Sequence, residues 1–396
     1  MFIHKITDSI DYVGVNDRTT ELFEGLWPLP YGISYNSYIV KGSEKVALID
    51  TVELGHTREF MESLRLQGID KIDYLIINHM EPDHSGGIPL VVTAFPDIKI
   101  VGNKKTIDMI KGFYHLMNDD LYVEVAENQT IDLGNISLKF IMTPMLHWPE
   151  TMMTYCEEEK LIFTGDAFGC YGALNGGVVD DSMECSLYIN EMYRYYSNIV
   201  AKYGKFVLSA LKKLSSVEID YICPTHGPVW HSRLAEVLEI THRLASYEGE
   251  DGVTIIYGSM YGNTAEMAEL FAISLSRRGI KNIRVHNASK SSLSEMLADA
   301  LRYKGLIIGS PTYNTEIYPP VSHLVSAIRA RDMKNKIVAS FGGYTWAPGA
   351  TKKIADNLEA MNFQDAGSVI MKQSLTEEVE NNISEVAEKF CELFNS

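Results

Sequence analysis

The second part of the chain alternates short, strand-like apolar runs with stretches whose apolar positions recur every three or four residues. Val253–Tyr257 reads as a buried strand, and Thr264–Arg278 carries the spacing of an amphipathic helix. The pattern repeats four more times. Ile283–Val285 precedes a helical stretch from Ser292 to Tyr303, and Gly305–Gly309 precedes another over Val321–Ala330. Lys336–Ser340 precedes Ala350–Met361, and Ser368–Met371 precedes Glu377–Phe394. Five strands alternating with five helices predict an α/β, doubly wound parallel sheet, because parallel neighbours need crossover helices. Such sheets take ligands beyond the carboxyl ends of their strands, at the point where strand order reverses.

The first part follows no such rhythm. Strand-like runs at Tyr38–Val40 and Val46–Ile49 lead into a helical stretch at Arg58–Gln67 and a buried strand at Tyr74–Ile77. Further strands are expected around Ile98–Val101, Ile136–Ile141 and Leu161–Phe163, with helices over Glu191–Ala201 and Arg233–Ala245. This predicts a mixed α+β domain with two sheets and covering helices, its strand order unfixed. The acidic, Gly-containing stretch Tyr247–Gly252 separates the two patterns, giving expected domains at 1–248 and 253–396.

Composition narrows the class. The 396 residues carry 35 Lys and Arg against 52 Asp and Glu, a net charge of −17, which disfavours nucleic acid and anionic membranes as partners. No apolar run approaches the ~18 residues of a membrane span, and the N-terminus has no basic segment leading into an apolar stretch. The five cysteines (Cys156, Cys170, Cys185, Cys223, Cys391) form no C-x-x-C pair, so a disulfide framework is not expected. A cytoplasmic protein with reduced thiols is the expectation.

The densest chemistry lies in Ile77–Gly87. His79, Glu81 and Asp83 are spaced by two and His84 follows directly, so two faces of one segment can address two metal positions. Downstream, His147, Asp166 (in Thr164-Gly165-Asp166) and His226 (in Pro224-Thr225-His226-Gly227) come at the ends of expected strands. Any one of these is ordinarily a polar residue closing a strand. Seven together form a charged cluster that needs a cation. Three carboxylates and four imidazoles leave zinc and iron open.

A second motif, Gly258-Ser259-Met260-Tyr261-Gly262-Asn263-Thr264, joins the strand at Val253 to the next helix. Its hydroxyls, backbone amides and helix N-terminus suit a phosphate, and it lacks both G-x-G-x-x-G and the Walker lysine. Ser310-Pro311-Thr312-Tyr313-Asn314 and Ser340-Phe341-Gly342-Gly343-Tyr344-Thr345-Trp346 follow the third and fourth strands of the same sheet. Both supply small residues for close backbone approach and aromatics able to stack on a ring. The first loop resembles the flavodoxin phosphate loop, which implies FMN held by Ser259, Met260, Tyr261, Gly262, Asn263, Thr264, Ser310, Pro311, Thr312, Tyr313, Asn314, Ser340, Gly342, Gly343, Tyr344 and Trp346.

The ligand spacing is similar to that of the metallo-β-lactamase fold, which implies an αββα sandwich with a dinuclear site at its edge. The usual second histidine is Glu81 here. With a flavodoxin-like domain behind it, the chain resembles the flavodiiron proteins over nearly its whole length. Carried over residue by residue, the resemblance puts His79, Glu81 and His147 on one iron and Asp83, His84 and His226 on the other, with Asp166 bridging. It implies reduction of dioxygen to water or of nitric oxide to nitrous oxide. It also implies a head-to-tail homodimer or dimer of dimers, and an external donor such as rubredoxin or a reduced deazaflavin, since no rubredoxin-type C-x-x-C pair follows the second domain. Trp148, Tyr195 and Tyr196 read equally as walls of the iron pocket or as core. Two other functions compete with this one. The first is a hydrolase of the glyoxalase or lactamase type with a flavodoxin module, and the second an electron carrier whose first domain only docks a partner. Glu81 and the complete flavin loops disfavour the first, and the filled ligand set disfavours the second.

Overall fold

The structure is a computed structural model describing residues 4–361 and 363–396. The chain divides into two compact units. One comprises Met1–Tyr195 and Lys205–His242, the other Tyr196–Gly204 and Arg243–Ser396. The excursion of Tyr196–Gly204 has a physical cause. The helix Ser186–Tyr195 runs on into a π turn at Tyr196–Val200. There Asn198 Nδ2 donates to Ser294 Oγ (2.6 Å) and Arg331 Nε donates to the Ser197 carbonyl (2.7 Å), both within the second unit. The single helix expected over Glu191–Ala201 is therefore two segments in different units.

The first unit holds two sheets. The larger orders its strands His4–Lys5, Ile10–Tyr12, Tyr38–Lys41, Val46–Ile49, Tyr74–Ile76, Lys99–Gly102 and Tyr122–Glu124. It is antiparallel through Val46–Ile49 and parallel beyond. The smaller orders Thr130–Asp132, Ser137–Met142, Met152–Cys156, Leu161–Gly165 and Tyr221–Pro224, with only the last pair parallel. Strands such as Met152–Cys156 and Leu161–Gly165 are buried at every position, which explains their continuous rather than alternating apolar pattern. Tyr38 of the larger sheet meets Phe163 of the smaller at 5.1 Å between ring centroids, so the inner faces pack on each other as an αββα sandwich requires.

The second unit is the expected parallel sheet. Its strands lie in the order Ile283–Asn287, Glu250–Tyr257, Tyr303–Gly309, Ile337–Tyr344, Gln364–Lys372, which is second, first, third, fourth, fifth in chain order. All pairings are parallel. The reversal falls between the first and third strands, where a ligand crevice belongs. Val253, Ile255, Phe271, Ile307, Phe341 and Phe390 are buried in the core between the sheet and its helices.

Candidate metal centre and flavin site

The strand Tyr74–Ile76 ends just before His79, and Pro82 opens a one-turn helix, Pro82–Ser85. A residue before proline is held out of the helical region, so Glu81 (φ −56°, ψ 138°) stays extended while Asp83 and His84 ride on the turn. That change of conformation sorts neighbouring ligands into two groups. His79, Glu81, His147 and Asp166 converge in one, and Asp83, His84 and His226 in the other, with the ligand atoms of each group within 4.8 Å of one another. All seven are buried.

Asp166 connects the groups. Its Oδ2 lies 2.9 Å from His147 Nε2 and 3.6 Å from His79 Nε2, while Oδ1 lies 2.8 Å from His84 Nε2 and 3.8 Å from His226 Nε2. Glu81 Oε2 is 3.1 Å from His147 Nε2, and Asp83 Oδ2 is 3.2 Å from His226 Nε2. Asp166 follows the strand Leu161–Gly165 directly, and His226 follows Tyr221–Pro224 closely. His147 does not close a strand: Ser137–Met142 stops short of it, and the intervening loop carries it in.

The backbone around these ligands is tied down. Asn36 Nδ2 donates to the carbonyls of Pro224 and Gly227, and Tyr38 Oη donates to Pro224, fixing the loop that presents His226. The Ser34 carbonyl accepts from His226 Nδ1 at 2.7 Å, so Nε2 turns inward. Asp50 accepts from the amides of Asn78 and His79 and holds the other ligand loop.

Four atoms test whether cations fit. Both carboxylate oxygens of Asp83 and the Nε2 atoms of His84 and His226 are buried without a hydrogen-bond partner, although each of the three residues has an opposite number within 3.3 Å. The three side chains thus crowd one space without hydrogen-bonding one another. A buried carboxylate left this way is costly unless a metal takes its charge. The electrostatics agree. Burial alone would lower His84 and His147, yet the carboxylates of Asp83 and Asp166 push His84 up to about 9, and bonds to Asp166 and Glu81 push His147 to about 9. Burial would raise Glu81 and Asp166, but the imidazoles hold both far below the carboxylate range. Protons thus gather where divalent cations would displace them.

Aromatic side chains wall the space. Trp148 meets His79 edge-on at 5.3 Å, Phe23 meets His226 at 5.5 Å, and Tyr195 meets His226 at 5.5 Å with its hydroxyl unpartnered. Tyr196 belongs to the second unit. Two acidic residues here carry no ligand spacing and escape a reading of the sequence. Glu150 Oε1 sits 2.8 Å from His79 Nδ1 and accepts from the Met80 amide. Glu24, on the hairpin Leu22–Pro28, accepts from Trp27 Nε1 at 3.1 Å; burial and the adjacent Glu81 carboxylate push it up to about 7.

The second unit has a cavity of about 410 Å³ at the carboxyl ends of its strands, within the range of small-molecule sites. It is lined by Ser259, Met260, Tyr261, Asn263 and Thr264, by Pro311, Thr312, Tyr313 and Asn314, and by Gly343, Tyr344 and Trp346. Gly262, Ser310, Ser340 and Gly342 lie off the lining; Ser340 and Gly342 belong to the strand Ile337–Tyr344, which runs on through most of the stretch expected as a loop. Ser310 Oγ accepts from the Tyr318 amide, and Gly342 packs so closely that a Cβ there would lie 2.2 Å from the Ser310 carbonyl oxygen. Gly262 (φ 104°) turns the loop and donates to Ser259 Oγ. Thr315, Thr345, Ala347, Met371 and Gln373 complete the lining. None of the lining residues is charged. The helix Asn263–Arg277 starts at this cavity with no side chain capping its first amides, so its N-terminus is available to a phosphate.

Comparison with known proteins agrees with both halves. Residues 33–227 match the ODP family beta lactamase, and residues 255–385 match flavodoxin. The anaerobic nitric oxide reductase flavorubredoxin of Vibrio vulnificus is 33% identical over 383 residues, covering 94% of this chain and 76% of that protein. The rubredoxin oxygen:oxidoreductase of Desulfovibrio gigas superposes with a TM-score of 0.94 at 28% identity, covering 100% of this chain and 99% of the other. The flavodiiron protein of Giardia intestinalis gives a TM-score of 0.93 at 26% identity, covering 100% and 98%. Fold, ligand geometry and these relationships converge on one conclusion: the chain belongs to the flavodiiron protein family.

Proposed function

We propose that this chain is an oxidoreductase that reduces dioxygen to water, nitric oxide to nitrous oxide, or both, at a non-haem diiron centre fed through FMN. The observation that carries this reading is the pair of buried ligand groups sharing Asp166, one carboxylate oxygen turned to each. In this reading His79, Glu81 and His147 would hold one iron and Asp83, His84 and His226 the other, with Asp166 available to both. When bound, a diferrous pair and a reduced flavin supply two electrons each: all four serve O₂ + 4e⁻ + 4H⁺ → 2H₂O, and two serve 2NO + 2e⁻ + 2H⁺ → N₂O + H₂O.

The protein's own groups exclude water and orient. Phe23, Trp148 and Tyr195 close the space beside the imidazoles, and the unpartnered Tyr195 hydroxyl is a donor for a small polar ligand. In the second unit, Ser259, Asn263, Thr264 and the helix N-terminus would hold the flavin phosphate, and Tyr313, Tyr344 and Trp346 would offer aromatic surface to its ring.

Relatives named as a nitric oxide reductase and as a rubredoxin oxygen:oxidoreductase support both gases and a rubredoxin-type donor; a reduced deazaflavin is the other donor proposed. A second copy, head to tail, completes the assembly we propose. The five cysteines, all buried and unpaired, support a cytoplasmic setting. Among the described residues no helix is long and apolar enough to cross a membrane.

The test is to reduce the iron- and FMN-loaded protein anaerobically and follow limiting dioxygen or nitric oxide by electrode. Rapid consumption of either gas, without peroxide from dioxygen, is expected. Consumption of both at free-flavin rates would sink the reading, and thioester or lactam turnover would replace it.

A further inference from the structure

The two ligand groups are matched in the atoms that face the ions. Each has two imidazoles and one carboxylate of its own, and Asp166 gives one oxygen to each. They differ behind the imidazoles. His79 Nδ1 meets a carboxylate, Glu150 Oε1, at 2.8 Å. His226 Nδ1 meets only a backbone carbonyl, that of Ser34, and His84 Nδ1 is buried with no partner. The Glu150 side chain is wholly excluded from solvent, and its second oxygen has no partner, so its side-chain contacts with the His79 ring and the Met80 amide are both made through Oε1. Another buried carboxylate, Asp50, lies close enough for its charge to act on His84 and His79, but it accepts its hydrogen bonds from the amides of Asn78 and His79 and from the Asn78 side chain, not from a ring nitrogen.

A carboxylate accepting from the outer N–H of a ligating imidazole orients the ring and raises its basicity. We propose that Glu150 is a positioning residue that makes the two metal positions unequal: the ion held by His79, Glu81 and His147 binds more tightly and is oxidised first. This rests on the diiron reading above. The asymmetry gives electron release an order, with the position backed by Glu150 stabilising the higher charge.

Glu150→Gln tests this, because the amide keeps an acceptor for both N–H groups while removing the charge. The apoprotein is titrated with Zn²⁺ against a chromophoric chelator, and crystals holding one equivalent of Zn²⁺ are examined by anomalous scattering. In the wild-type protein the first ion is expected in the His79 group. In Glu150→Gln that site loses about 10- to 100-fold in affinity, while the Asp83 group changes less than about threefold. In the iron-loaded protein, the mixed-valent EPR signal is expected over a narrower potential range in the variant. Equal occupancy of the two sites in wild type, or an equal loss at both in the variant, overturns the proposal while leaving the diiron reading intact. Failure of both positions to bind metal overturns the two together. The wild-type loading order decides the matter even if the variant fails to fold.

Discussion

The metal centre and the flavin cavity are built on opposite terms. Seven charged or ionisable side chains are buried in the first, with His226 Nδ1 held by the Ser34 carbonyl and His79 Nδ1 by the Glu150 carboxylate. The second is neutral and open, with Tyr261 and Trp346 left 92% and 88% exposed. A charged cluster out of water must be over-determined, because any slack leaves an unpaired charge. A nest of amides and hydroxyls loses little when water fills it. Substitutions at the metal centre are therefore expected to abolish, and substitutions at the cavity only to weaken.

The largest effect is expected at Asp166. Asp166→Ala removes an oxygen from each group at once. Changes behind a ligand already cost about 10- to 100-fold in metal affinity, so losing the shared ligand should lower it further and bring gas consumption to the free-flavin rate. Iron content by elemental analysis and electrode traces check this. A variant retaining two irons and more than about a tenth of the activity would remove Asp166 from the bridging position.

Metal removal comes next, and it sharpens the contrast between the units. An ion at about 1,000 times its dissociation constant stabilises the state that binds it by about 4 kcal/mol. Chelation should lower the melting transition of the first unit by calorimetry and leave that of the second in place. A shift of both together would mean that the units do not unfold separately.

The second unit buries a charge too, without a carboxylate. Lys336 is fully buried, and its Nζ donates to the carbonyls of Leu301 and Tyr303 at 2.7 and 2.6 Å. Burial pulls it down from its ordinary 10.5 to about 7. Between those values the folded state binds fewer protons than the unfolded one, so stability rises with pH across the window, by at most about 1.4 kcal/mol per unit. Melting of wild type and Lys336→Met between pH 7 and 10 checks this: wild type should gain on the variant as pH rises. Parallel curves would show that Lys336 stays charged.

Where local pattern decides structure, the sequence was readable. The alternation after Val253 comes from crossover connections and gave the parallel sheet. The spacing of His79, Glu81, Asp83 and His84 was visible because one proline-directed turn sets their directions. What sequence could not show depends on contacts between distant residues. Glu150 follows Pro149 and looks like a surface acid until the fold brings it to His79, 71 positions earlier. Met371 and Gln373 join the flavin cavity only because the fifth strand lies beside the fourth. Ser310 and Ser340 carry the motif's chemistry but face inward, a direction that residue type does not encode. The excursion at Tyr196–Gly204 is set by Asn198 and Arg331, neither of which has a pattern of its own.

Two cavity substitutions carry the smaller effects. Gly262 adopts φ 104°, where a side chain is strained, yet a Cβ there would meet nothing within 4 Å. Its replacement is therefore a test of backbone conformation and not of space. Gly262→Ala should cost about 1 kcal/mol in the turn, seen as FMN binding weakened about fivefold by fluorescence titration. Trp346→Ala should do less. An aromatic contact adds about 0.5–1.5 kcal/mol beyond its area, and a side chain this exposed contributes little to folding, so melting should move by less than about 0.5 kcal/mol. FMN should be held about threefold more weakly, with the metal content unchanged. A loss in Trp346→Ala as large as that in Gly262→Ala would mean that ring stacking holds the flavin as strongly as the phosphate nest does. The contrast would then lie between a site held by charge and one held by aromatic surface.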